Sequence, residues 1–404
     1  MTPATPAGRL ERSLERLHDN ERSRAFHEGR VALGLERIEA LLGALGPLPA
    51  PRVAVHVAGS EGKTSTTELL AAGLSAQGLT VAGFTSPHLR DVRERLRIGG
   101  RFPPEPLLDS AVAAVEAAAA RLGHTPSWFE FLTATARVLF AEACVDGVVW
   151  ETGLGGRLDA TRLMPADLCV ITTVSLEHSA VLGPTVAAIA AEKAGILRPG
   201  RPLVLGGGVP EEARAAIEPM AAALGCAVHQ AAAAPDTRAA NLALARLSLD
   251  VLAGEGLVAP RDASVDAVLE STRIAGRWQR VGQLLFDGAH SVAAAQRLAA
   301  ELAPLSPASI VCGITSGRDA AAMLSALAAA LPPGGLLVTT RAPGERGVPA
   351  AELAALAPGH VRVQACEEPP AALATARSHA GREGLVVVTG SLYLIGLLLP
   401  ESSA

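Results

Sequence analysis

An α/β chain with two domains, each built on a mostly parallel sheet, is predicted by three observations. Short continuous apolar runs alternate with helix-forming stretches, the runs end in glycine-rich or polar loops, and the alternation breaks once and then restarts. At 404 residues the chain is also too long for one ordinary core. A polar N-terminal helix comes first. Gly34–Leu45 then carries apolar residues at helical spacing and is closed by Pro47, Pro49 and Pro51. Val53–Val57 is a β-branched run ending at Gly59, and Thr64–Gln77 follows with helix-forming composition. Val145–Gly153 reads as a strand entering a glycine loop. Leu168–Ser175 reads as a buried strand, Thr185–Gly195 as a helix and Arg201–Gly207 as another strand. The alanine-rich 231–237 stretch opens a helix from about Arg238 to Val251. A Pro, an Asp and a Ser interrupt the pattern near Ala259–Arg273, so the predicted domains are 1–270 and 271–404. Beyond that junction the strands Leu284–His290, Ala308–Ile314, Gly335–Thr340 and Gly384–Ser391 alternate with helices as a second, smaller α/β unit. No internal repeat or coiled coil interrupts either part.

Composition narrows the function. A net charge of −5 argues against a general polyanion binder, and 3% aromatic residues leave few faces on which bases could stack, so nucleic acid is not an expected partner. The five cysteines are dispersed without a CxxC pair, as in reduced core thiols of a cytoplasmic protein. The N-terminus is too charged for a signal peptide. The apolar run Leu385–Leu399 is too short, and too broken by Thr389, Gly390, Ser391 and Gly396, to cross a bilayer, so a membrane partner is not expected either.

Four clusters carry chemistry. In GSEGKTS (Gly59–Ser65), Gly59 and Gly62 let backbone N–H groups approach phosphate oxygens, Lys63 reaches the β and γ phosphates, and a hydroxyl of Thr64 or Ser65 suits Mg²⁺. The glycine spacing is shorter than in the common phosphate-loop pattern, and an ordinary glycine turn capping a helix is the simpler alternative. Strand before and helix after favour the phosphate loop. In Phe84–Gly100, Ser86 stands at a strand end, where its hydroxyl could ligate Mg²⁺, whereas Arg93, Glu94, Arg95 and Arg97 read as a solvated helix face. In Trp150–Arg162, Glu151 lies at the carboxyl end of a parallel strand, where open α/β sheets place ligands, and is a hard oxygen donor. A turn-capping acid is the alternative there. In Ser175–Gly183, His178 follows a strand expected beside that of Glu151, and metal or phosphate contact and a structural role stand level for it. Lys193 by itself reads as a surface lysine.

Taken in order, these segments resemble the folylpolyglutamate synthase and dihydrofolate synthase family of the Mur ligase superfamily. HVAGSEGKTS is followed by TSPHL (Thr85–Leu89) with Glu94–Arg95, WFEFLT (Trp128–Thr133), ETGLGGRLDAT, SLEHSAVLG with EKAGI, RIAGRWQ, FDGAHS and VTGSLYLIG. The resemblance runs from about residue 34 to Gly396. It implies an N-terminal phosphate-loop ATPase domain of Mur-ligase type and a smaller Rossmann-like C-terminal domain. It implies that Gly59, Ser60, Gly62, Lys63, Thr64 and Ser65 hold ATP, joined by Asn241 at adenine and by Arg277, Asp287 and His290 of the second domain. Two Mg²⁺ ions are implied on positions Ser65, Ser86, Glu151 and His178. Lys193 is implied to be carbamylated, and a pterin pocket to be lined by Ser127, Trp128, Phe129, Leu158, Asp159 and Ala160.

The implied activity is ligation of L-glutamate to a folate, and to dihydropteroate, by a monomer through an acyl phosphate. Lys63, His178, Lys193 and Arg277 are the residues implied to act in it, with domain closure completing the site. Another Mur-type amide ligase, acting on a cell-wall precursor or specialised metabolite, and a nucleotide-binding relative without activity are the alternatives. The sequence departs from the family at Glu61 (usually Asn), Arg162 (Asn), Thr237–Arg238 (His-Gln), Ser291 (Asn) and Gly99 (Asn). None of these is a presumed metal ligand.

Overall fold

In a computed structural model, residues 8–19, 23 and 33–400 are described. The chain forms two compact units. One comprises residues up to Pro87 together with Val92–Thr272, the other His88–Asp91 together with the residues from Arg273 onward.

The strands of the first unit are β1 (Val53–Ala58), β2 (Val81–Phe84), β3 (Leu96–Ile98), β4 (Gly147–Glu151), β5 (Leu168–Ile171), β6 (Leu203–Leu205) and β7 (Val228–Gln230). They form one sheet in the order β3-β2-β4-β1-β5-β6-β7, parallel except for β2 against β3. Every residue of β1, β2, β4, β5 and β6 is buried, which explains their largely apolar sequences: helices cover both faces. Phe84 and Trp150 pack beneath helices Glu105–Ala119 and Trp128–Glu142, and Ile171 and Leu205 beneath helices Val186–Ala194 and Glu211–Ala223. Helices Lys63–Ala76 and Thr237–Gly254 pack on each other and on the other face.

Strand β1 lies at the centre, between β4 and β5, which corrects the expectation that the strand before His178 neighbours that of Glu151. Chain order misleads here because the first strand inserts between two later ones. The strand order reverses around β1, so the loops leaving β1, β4 and β5 emerge together at the carboxyl edge of the sheet.

The second unit holds β8 (Gln279–Val281), β9 (Leu284–Phe286), β10 (Ser309–Cys312), β11 (Leu336–Thr339), β12 (Arg362–Ala365) and β13 (Val386–Thr389). Their order is β12-β11-β10-β13-β9-β8, parallel except for β8 against β9. Leu285, Ile310, Leu337 and Val387 form one core layer, and Phe286, Val311, Val338 and Val388 form the other. The segment His88–Asp91 belongs to this unit. Arg90 Nε donates to Gly396 O at 2.5 Å, and a β-carbon added at Gly276 would stand 3.1 Å from Ile395 and 3.3 Å from Leu89.

All five cysteines are free thiols, and burial pushes Cys169 and Cys312 up to about 12. No helix among the described residues is long and apolar enough to cross a membrane.

Gly396 lies inside helix Leu392–Leu398, and a β-carbon there would collide with the Leu89 carbonyl oxygen. Gly396→Ala is therefore expected to destabilise the second unit by about 1–3 kcal/mol. Gly43→Ala, in helix Glu36–Leu45 with nothing within 4 Å of the added carbon, is expected to stabilise by about 0.5–1 kcal/mol. Urea unfolding midpoints of the two variants, moving in opposite directions, check the pair.

Candidate active site

The loop after β1 is shaped by its two glycines and by the strand beside it. A β-carbon at Gly59 would collide with Thr172 Oγ1. Gly62 has φ +79°, and a β-carbon there would stand 2.6 Å from Asn241 Oδ1. Asn241 is thus seated directly against the phosphate loop, on helix Thr237–Gly254. The outer corner of the loop is bonded to the continuation of β5. Ser60 N donates to Thr173 O at 2.9 Å and Glu61 N to Thr173 Oγ1 at 2.9 Å, while Thr172 Oγ1 donates to Glu61 O at 2.5 Å. The N–H groups that begin helix Lys63–Ala76 follow directly, and helix N-termini are ready anion sites. Lys63 Nζ lies across the loop, donating to Gly59 O at 3.0 Å and Ser60 O at 3.1 Å.

Glu151, at the end of β4, is 1% exposed. It accepts from Thr64 Oγ1 at 2.9 Å through Oε1 and from Ser86 N at 3.1 Å through Oε2. Glu151, Ser86 and the phosphate loop, far apart in sequence, therefore meet at one carboxylate. Of the two loop hydroxyls, Thr64's bonds to Glu151, and Ser65 is buried one residue further into the helix. A carboxylate with an adjacent hydroxyl, here that of Thr64, offers the hard oxygen donors that Mg²⁺ takes. Among the described residues no group of three or more His, Cys, Asp or Glu could hold a metal alone. An ion held here would have to draw the rest of its shell from other oxygens, as Mg²⁺ does from phosphates and water in nucleotide sites.

At the end of β5, His178 has φ +47° and begins the short helix Ser179–Leu182. Lys193 is 1% exposed, so it is no surface lysine, and its Nζ lies 2.8 Å from Glu177 Oε1. Burial works to raise the Glu177 carboxyl, but the ammonium groups of Lys193 and Lys63, with His178, outweigh it and hold it at about 2. Burial lowers Lys193, and the Glu177 carboxylate offsets only part of this because Lys63 also repels it. One carboxylate thus serves two lysines. Glu177 escaped attention in the sequence; a second ionisable group beside His178 at a strand end was the available signal.

The presumed pterin-pocket residues fall into two linked groups. Ser127 caps helix Trp128–Glu142 in a reciprocal capping box with Glu130. Trp128 carries the Arg95 guanidinium 4.6 Å from its ring centroid, and Arg95 is only 1% exposed. The solvated face expected for Arg93–Arg97 is therefore wrong at Arg95: Val92–Arg95 is a 3₁₀ turn leading into β3, which turns that residue inward. Phe129 packs against Phe84 and would meet a β-carbon at Gly153 at 2.6 Å. Asp159 organises the glycine loop from below, accepting from Leu154 N at 2.9 Å, Thr161 N at 3.0 Å and Thr161 Oγ1 at 2.5 Å. Burial raises its carboxyl against the pull of these bonds. Leu158 is half-buried and Ala160 buried beside it. Thr161 Oγ1 and Thr152 Oγ1 lie 2.9 and 3.1 Å from Nε2 of the buried His56, a residue of β1 not singled out beforehand. Burial, then Arg198 and Arg162, hold His56 well below the usual histidine range, so it stays neutral.

Arg277, Asp287 and His290 come together in the second unit. Asp287 accepts from Trp278 N at 2.9 Å and Ala289 N at 3.0 Å, Arg277 Nη1 donates to Gly288 O at 3.3 Å, and His290 Nδ1 lies 2.7 Å from the same oxygen. Burial raises the Asp287 carboxyl, and Arg277 draws it back.

Residues 276–392 match the family model described as Mur ligase, glutamate ligase domain. The dihydrofolate synthase/folylpolyglutamate synthase of Escherichia coli strain K12 is 41% identical over 182 residues, 45% of this chain and 42% of that protein. The matched stretch thus spans less than half the length of this curated relative. In three dimensions the likeness is longer. E. coli FolC in complex with DHPP and ADP superposes with TM-score 0.82 and 28% identity over 96% of this chain and 95% of that one. A bifunctional folylpolyglutamate synthase/dihydrofolate synthase with Mn, AMPPNP and L-glutamate bound gives 0.83 and 29% over 99% of both.

Because the folded-state carboxyl of Glu177 lies below its unfolded value, its contribution to stability is present above about pH 4.5 and is lost as pH falls toward about 2. Glu177→Gln is expected to remove that acid dependence and to leave Lys193 buried without its carboxylate, at a cost of about 3–5 kcal/mol. Denaturant midpoints measured from pH 7 to pH 2 on both proteins test this, and parallel profiles would contradict it.

Proposed function

We propose that the chain is a member of the folylpolyglutamate synthase and dihydrofolate synthase family of Mur ligases, and that it is an ATP-dependent ligase adding L-glutamate to a folate, with dihydropteroate as a second acceptor. The observation that carries the proposal is the meeting of phosphate loop, Ser86 and Glu151 at one carboxylate, with the Glu177–Lys193 pair at the end of a strand adjoining β1. Such a site serves phosphoryl transfer, and the relatives supply the acceptor class: the E. coli protein was solved with DHPP and ADP, and its relative with L-glutamate.

A carboxylate acylates poorly because oxide would have to leave. In the proposed reaction a carboxylate oxygen of the folate attacks the γ-phosphorus, the bond to ADP breaks, and an acyl phosphate forms. The glutamate amine then attacks the acyl carbon, phosphate departs, and the amine loses a proton. The chain supplies alignment and charge, since neither step needs a side-chain nucleophile. Lys63 swings from its loop carbonyls to the terminal phosphates, and the N–H groups heading helix Lys63–Ala76 take the inner ones. Asn241 lies where adenine is expected. Glu151, Ser86 and the loop hydroxyls of Thr64 and Ser65 hold Mg²⁺, which when bound offsets the charge on the transferring group. His178 is assigned to a second ion. Lys193 is assigned as the carbamylated residue: its disfavoured ammonium loses a proton and the freed amine adds CO₂, giving an anionic ligand. Trp128, Phe129, Leu158 and Ala160 form the acceptor wall, which Ser127 and Asp159 hold in shape. Arg277, Asp287 and His290 are assigned to the nucleotide on the family resemblance. In this reading the enzyme is a monomer of the cytoplasm, a compartment that keeps thiols such as its five reduced.

Purified protein given ATP, Mg²⁺ and labelled glutamate is expected to ligate tetrahydrofolate or dihydropteroate and to leave a UDP-muramoyl peptide untouched. Lys63→Ala is expected to lose the folate- and glutamate-dependent release of ADP, and so is the parent protein after chelation of Mg²⁺. Turnover persisting at the parent rate in Lys63→Ala would sink the proposal.

A further inference from the structure

Ser175 lies four residues beyond β5 and is tied to the phosphate loop through its own backbone. Its N–H donates to Ser60 Oγ at 3.0 Å, and its carbonyl accepts from that hydroxyl at 3.3 Å. The Ser175 hydroxyl is itself buried and has no hydrogen-bond partner among the described residues. A buried hydroxyl without a partner is unfavourable, so its presence here calls for a reason. His56 Nδ1 and Trp150 Nε1 share that condition inside the sheet core, whereas Ser175 stands at the carboxyl edge, where the loops of β1, β4 and β5 converge.

Two lysines lie near it. Lys63 Nζ rests on the carbonyl of Ser60, the residue to which Ser175 is bonded, and both Lys63 and Lys193 act on Glu177, two residues further along. In a phosphate loop the N–H groups that begin the following helix take the inner phosphates and the loop lysine reaches the terminal one.

Resting on the ATP-dependent reading above, we propose that Ser175 Oγ donates a hydrogen bond to the terminal phosphoryl group of the bound nucleoside triphosphate. It is thereby a ligand-contacting residue that tells triphosphate from diphosphate. The hydroxyl gains its missing partner only when that group is present, so the contact is lost again as the phosphoryl leaves with the product.

Calorimetric titration of AMPPNP and of ADP, each with Mg²⁺, tests this on the full chain. Ser175→Ala is expected to raise the Kd for AMPPNP roughly tenfold, the worth of one charge-assisted hydrogen bond, and to leave ADP binding unchanged. Its melting temperature without nucleotide is expected not to fall, because the lost hydroxyl had no partner. Ser175→Thr is expected to restore AMPPNP binding. Ser175→Cys, a weak donor of similar size, is expected to follow Ser175→Ala and replaces it should that variant fold poorly. Equal losses for both nucleotides, or none for either, would overturn the proposal. A parent protein that separates AMPPNP from ADP through Ser175 yet releases no ADP with folate and glutamate would overturn the ligase reading and leave this contact standing.

Discussion

Thr173 grips one residue of the phosphate loop from both sides: its hydroxyl accepts from Glu61 N at 2.9 Å and donates to Glu61 O at 3.2 Å. Thr172 and Ser175 add bonds to the same corner. A glycine loop left to itself samples many conformations, and ordering it costs roughly 1–2 kcal/mol per residue. Here the ordering is built into the pairing of β1 with β5, because the two strands run side by side and their continuations meet. The direction of the helix that follows, the reach of Lys63 and the meeting of Thr64 with Glu151 all depend on that corner. The neighbouring strand, rather than the loop's own sequence, holds an unusually short glycine spacing in one shape.

Much of this was legible beforehand. The buried strands declared themselves as unbroken apolar runs, and their loops as glycine and carboxylate at the strand ends. Edge strands did not: β7 and β12 are largely exposed and carry Val228–His229–Gln230 and Arg362–Val363–Gln364–Ala365, with no continuous apolar signal. Burial of charge was equally hidden. Lys193 and Arg95 look like surface residues in a string of letters, because what buries them, Glu177 and the Trp128 ring, lies 16 and 33 positions away. Adjacency of β4 and β5 was misjudged for a related reason, since strand order across a sheet is not chain order.

The departures from the family pattern sort by what they touch. Ser291 caps helix Val292–Leu302 by accepting from Ala294 N at 3.1 Å, a role Asn fills equally well. Arg238 donates to Thr272 O at 3.2 Å and Glu270 O at 2.5 Å, fastening the C-terminal end of helix Ala263–Ser271. Arg162 sits in the 3₁₀ turn after Asp159, partly buried beside the Arg198 guanidinium, which burial and that neighbour bring down to about 10. Glu61 keeps its backbone in the grip of Thr173, so exchange of the side chain left the loop's frame intact.

The excursion of His88–Asp91 bears on modularity. The chain leaves the first unit after Pro87, lends four residues to the second and returns at Val92, before crossing again for good at Arg273. The second unit is therefore not a cassette encoded by one continuous stretch. A fragment beginning at Arg273 would lack the Leu89 side chain that lies by Gly276 and the Arg90 guanidinium that satisfies the Gly396 carbonyl. Recombination between relatives at that junction separates a fold element from its four-residue partner segment, so exchangeable halves of this protein have to be cut in three places, not one.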